Sequence, residues 1–102
     1  MTDAHSKATN IVTPEKLAKY FAITEEALAM AKGAVIPERH AQALEALDMA
    51  ERYVSDAHHF HDNGDDVLAF AALNYAHGWL DAGARLGLFD VHDSRLFTVD
   101  DR

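Results

Sequence analysis

Two clusters of residues have the chemistry to do more than pack. The first is His58, His59, His61, Asp62, Asp65 and Asp66, three imidazoles beside three carboxylates. Imidazole and carboxylate are the ligands of zinc and other divalent metals, so His58, His61 and Asp62 are the candidate metal ligands. Their spacing matches no established motif such as HExxH. On a helical wheel His59 points to solvent and His61 to the apolar side, so the three imidazoles diverge. The structural reading is the stronger one. Histidines in a last helical turn complement the dipole and the free carbonyls, and His61 is the best placed to be buried and hydrogen-bonded.

The second cluster is Asn74, His77, Asp81 and Arg85, with His77–Asp81 and Asp81–Arg85 both at i,i+4. An Asp that orients a His recurs in catalytic and metal sites. No serine or cysteine nucleophile accompanies this one. In an antiparallel hairpin His77 comes level with Glu51, so Glu51, His77 and Asp81 could hold a cation or a small polar ligand. The plain alternative is a solvated face laced by ion pairs, each worth about 0.2–0.5 kcal/mol. Two patterns are weaker: Asp56-x-x-His59, as in di-iron bundles, lacks the matching carboxylates from other helices, and Arg52 with His58 or His59, as in small helical ribonucleases, is a spacing common by chance on a surface whose acidity opposes RNA.

Three helical segments must position these groups. The first starts at Thr13-Pro14-Glu15, where Thr13 caps and Pro14 suits the first helical position, and it stops at Gly33. Thr24-Glu25-Glu26 offers an alternative second start, which would kink the segment. The second opens at Pro37 and runs to about Asn63, with a broad apolar arc and a charged one. Asn63-Gly64-Asp65 is the turn of an αα-hairpin, which brings Tyr53 level with Tyr75. The third spans about Asp66 to Leu86 and is apolar around most of its girth, with Asn74, His77, Asp81 and Arg85 as its polar arc. Opposite that arc runs a row of small residues, Ala69, Ala76, Gly83 and Gly87, with Trp79 at its flank. Such a row lets helix backbones approach closely. So much apolar surface on one helix calls for a fourth packing element or an interface.

The expected fold is thus all-α, a three-helix bundle on a long αα-hairpin over residues 13–89. Residues 1–12 form a disordered leader, and 90–102 an acidic C-terminal tail able to dock. At 102 residues and 49% hydrophobic content, one core is affordable. The chain has no cysteine, which excludes disulfides and thiolate chemistry and fits a reducing cytoplasm. The net charge of −8 argues against nucleic acid as a partner. No apolar run is long enough to span a membrane. The acidic excess is spread along the chain, which suits a salty cytoplasm better than a docking site for one basic partner.

The strings Met49-Ala50-Glu51-Arg52-Tyr53, Asp56-Ala57, Phe60, Gly64-Asp65, Ala69-Phe70 and Tyr75-Ala76-His77-Gly78-Trp79-Leu80-Asp81-Ala82-Gly83 resemble a family of small archaeal proteins, domain of unknown function 357, over about residues 40–89. The resemblance implies a helical bundle and an archaeal source, for which the acidic surface would mark a halophile. It implies no activity. The expectation is a non-enzymatic helical module without a cofactor. Its partner is a second copy or another protein, met through the third helix. A ligand-binding bundle is the alternative and a helical ribonuclease a distant third.

Overall fold

The computed structural model of the chain describes residues 10–99. The expected leader therefore lies largely outside the described residues, as do residues 100–102 of the expected tail.

α1 runs from Pro14 to Lys32 without interruption. Thr13 caps it, its Oγ1 accepting from the Lys16 amide at 3.1 Å. No second helix starts at Thr24, which is 2% exposed; its hydroxyl faces His77 of α3 instead of capping a new helix. A 3-10 turn, Pro37–Arg39, precedes α2, His40–Asp62. α3 spans Asp66–Arg85, with Asp65 accepting from the Leu68 amide at 3.1 Å as its cap.

Both hairpin helices end in the same way. Gly64 has φ 80° and Gly87 φ 77°, left-handed values that glycine adopts without steric penalty. In each case the amide beyond the glycine reaches back over a full turn, Asp65 to Phe60 O at 2.8 Å and Leu88 to Gly83 O at 2.8 Å. Gly87 therefore belongs to no packing row. It turns the chain so that Phe89 folds back over Gly83, where a Cβ would collide with the ring.

The rest of the small-residue row is used within the chain. Ala69, Ala76 and Gly83 are buried, and α2 presents a matching row of Ala43, Ala50 and Ala57 at the same seven-residue spacing. Small residues on both sides let α2 and α3 pack closely along their length. At the turn end Ala57, Ala69, Ala72 and Leu73 close with Leu17 of α1 into one apolar cluster. The larger cluster joins Ala27, Leu28 and Ala31 of α1 to Leu47, Val54, Ala76 and Leu80. Its lid is the segment after α3, which buries Leu88, Phe89, Val91, Leu96 and Phe97. The core thus continues past residue 89, where the sequence pattern had placed the domain boundary. One isolated antiparallel bridge, Val35 to Phe89, pins this segment to the loop after α1. Among the described residues no helix is long and apolar enough to cross a membrane.

Candidate functional site: the two faces of the third helix

The polar arc of α3 is divided: Asn74 and Arg85 are exposed, while His77 and Asp81 are partly buried. The latter pair lies on the seam on which α1 and the C-terminal segment close. His77 Nε2 donates to the Leu96 carbonyl at 2.6 Å, and its Nδ1 lies 3.2 Å from Thr24 Oγ1. A carbonyl only accepts, so the neutral ring carries its proton on Nε2, and Nδ1 accepts the threonine hydroxyl proton. Asp81 receives the Thr98 amide at 2.8 Å on one oxygen and the Thr98 hydroxyl at 3.1 Å on the other. Asn74 donates to Phe70 O at 3.1 Å, one turn back on its own helix. Arg85 is exposed and borders a hollow against residues 94–99. Beside this seam Arg95 grips Glu26 of α1 through two hydrogen bonds, at 2.7 and 3.1 Å. Bonding to that guanidinium holds the Glu26 carboxyl below its ordinary value.

Glu51 does not join this group. It pairs with Lys32 of α1, because α2 and the polar arc meet α1 on different sides. The expected Glu51–His77–Asp81 grouping therefore does not form. Both nitrogens of His77 and both oxygens of Asp81 have hydrogen-bond partners within the chain. The arc is a clasp. A hollow of about 370 Å³ between α1 and α3 is lined by Lys19, Tyr20, Thr24 and Gly78 together with Asn74, His77 and Asp81 of the arc.

The histidines near the hairpin turn disperse. His58 bonds Glu25 of α1 at 2.7 Å and stacks on Phe21 with centroids 4.5 Å apart. His61 bonds Asp66 at 2.8 Å and is exposed rather than buried. His59 contacts Asn63, and Asp62 is exposed. Among the described residues no group of three or more His, Cys, Asp or Glu is placed to hold a metal ion.

The opposite finding concerns the sector of α3 that nothing covers. At 100° per residue, Val67, Ala71, Gly78, Ala82, Tyr75 and Leu86 fall within one continuous arc, and all six are exposed. Val67 is 68%, Tyr75 58% and Leu86 65% exposed. Leu68 adds to the same edge. Tyr75 lies over Tyr53 with centroids 4.4 Å apart, which props the ring upright at the rim. Burial, then the neighbouring Tyr75, pushes the Tyr53 phenol above its usual range. A Cβ at Gly78 would meet nothing within 4 Å, so the chain's own packing does not require glycine there. Trp79 lies at the α2 edge of this arc; its indole Nε1 is buried without a hydrogen-bond partner.

Residues 19–89 match the family described as protein of unknown function DUF357. The chain belongs to the DUF357 family. No curated protein and no solved structure matches it. The DUF357 match includes Thr24, His77, Asp81 and the whole outer arc of α3. It stops at Phe89, before Arg95, Leu96 and Thr98. The clasp on the seam is thus half inside the DUF357 region and half beyond it, whereas the apolar outer arc is wholly inside.

Sequence reasoning named Trp79 and the row behind it, and missed Val67, Ala71, Tyr75, Gly78 and Ala82 as a set. The available signal was Gly78. A glycine in a helix interior costs about 1 kcal/mol relative to alanine, and here no neighbour in the same chain accounts for it.

Proposed function

We propose that this DUF357 chain is a non-catalytic interaction module that docks a partner protein's helix along the outer face of α3. One observation carries the reading. In a chain with 17 acidic residues, the solvent sector of α3 from Val67 to Leu86 carries no carboxylate, and its polar members are Asn74 at one edge and Arg85 at the C-terminal end. The exposed face of α2, with Glu45, Asp48, Glu51, Arg52 and Asp62, is what an unpartnered surface in this chain looks like. Scattered exposed apolar residues need no explanation, but a continuous apolar strip along a helix does. Ala71, Gly78 and Ala82 leave low points between the larger Val67, Tyr75 and Leu86, a relief that fits the side chains of a docked helix. The acidic remainder serves solubility and suits a saline cytoplasm.

The test is site-specific photo-crosslinking in cells. A benzophenone amino acid replaces Tyr75 in one variant and Arg52, on the charged face of α2, in another. Adducts of protein mass are expected at position 75 and not at position 52. Equal yields at the two positions would refute docking through α3.

A further inference from the structure

The outer strip of α3 has an order that reads alike from both ends. From one end Val67, Ala71 and Tyr75 follow at four-residue spacing; from the other Leu86, Ala82 and Gly78 do the same. Large apolar faces large, alanine faces alanine, and the one aromatic faces the one glycine. Resting on the docking reading above, we infer that the partner is a second copy of this chain, laid antiparallel across α3 with each Tyr75 over the hollow at the other copy's Gly78.

Two independent features select this occupant and this direction. The first is volume. Gly78 has open space where its Cβ would be, and Tyr75 projects at 58% exposure one turn away. A parallel pair would set ring against ring and gap against gap, while the antiparallel pair fills each gap with a ring. The second is charge. α3 begins at Asp65 and Asp66 and ends at Arg85. Antiparallel helices bring each Arg85 to the acidic end of the other copy and oppose the two helix dipoles; parallel helices superpose like ends. The contact is the same patch on both copies, so it closes as a dimer and does not propagate. Two chains of net charge −8 repel each other at long range, so added salt tightens the pair.

Because the chain contains no cysteine, the register is open to direct reading. Ala71→Cys and Ala82→Cys are made singly and oxidised alone and as an equimolar mixture. In the antiparallel register the two positions face each other, while identical positions lie about 16 Å apart along the axis, beyond disulfide reach. The mixed disulfide is expected at least ~10-fold above either homodisulfide, given the distance limit on bridging. Homodisulfides dominating at both positions would establish a parallel pair and overturn the register. Light scattering at micromolar concentration is expected to give twice the chain mass, with Gly78→Leu and Tyr75→Glu each weakening association ~10-fold or more while helical circular dichroism is kept. A monomer that still forms Tyr75 photo-adducts with other proteins would overturn the second copy as partner and leave the docking face standing. A monomer with no such adducts would remove both.

Discussion

Gly78 and Gly83 stand five residues apart on one helix, and the same substitution at each is expected to have opposite effects. Replacing an interior helical glycine by alanine stabilises the folded state by about 1 kcal/mol through backbone entropy. At position 78 nothing opposes that gain, since the new methyl meets no atom within 4 Å. Gly78→Ala should therefore raise stability by about 1 kcal/mol, which in a domain of this size lifts Tm by roughly 4–8 °C. At position 83 the methyl would enter the ring of Phe89. That ring is 3% exposed and backed by the core, so it has nowhere to swing. Overpacking of this kind costs about 1–3 kcal/mol, which cancels or exceeds the propensity gain. Gly83→Ala should melt about 1–3 kcal/mol below Gly78→Ala. The assay is thermal and urea unfolding followed by circular dichroism, at concentrations where the chain is monomeric, since association would add its own free energy. A Phe89→Leu background should remove most of the difference. If Gly83→Ala proved as stabilising as Gly78→Ala, the close approach of the C-terminal segment to α3 would be wrong.

Two further outcomes follow from the clasp. His77→Ala removes the partner of the buried Thr24 hydroxyl and of the Leu96 carbonyl; with each unpaired group costing about 1–3 kcal/mol, urea unfolding should show a loss of about 2–6 kcal/mol, and a loss well under ~1 kcal/mol would mean water replaces the ring. The Glu26 carboxyl is held below its ordinary value of 4.5 by Arg95, so its contribution is present above that pH and fades as pH falls through the lowered value. NMR signals of the Arg95 guanidinium should shift on acidification in the wild-type chain and much less in Glu26→Gln; identical titrations would show that Arg95 draws its order from Asp93 instead.

The hairpin was legible in the sequence because its signals are local. Asn63-Gly64-Asp65 specifies both a helix stop and a helix cap, and the register it sets puts Tyr53 on Tyr75. The direction in which α3 faces was harder to read. With apolar residues around most of its girth, either of two sectors could have met α2. The choice fell to the row of Ala69, Ala76 and Gly83 because α2 offers the complementary row of Ala43, Ala50 and Ala57, a match visible only when both helices are aligned. The polar arc was misjudged for a related reason. His77 and Asp81 have the look of a wet face, and their partners, Thr24, Leu96 and Thr98, lie far away along the chain. Thr24 looked like a helix start because an N-cap threonine and a buried, hydrogen-bonded threonine are the same residue with different neighbours.

The reach of those links along the chain sets an order of events. α2 and α3 meet through a tight turn and need little loop closure. α1 is tied to the remainder by Thr24 to His77, 53 residues on, and by Glu26 to Arg95, 69 residues on. Contacts that close long loops form late in folding and are the first to open in the native state. The hairpin is therefore expected to form first. The first helix and the final strap are a gate that shuts over it, and amide exchange should find that gate ajar well before the hairpin yields.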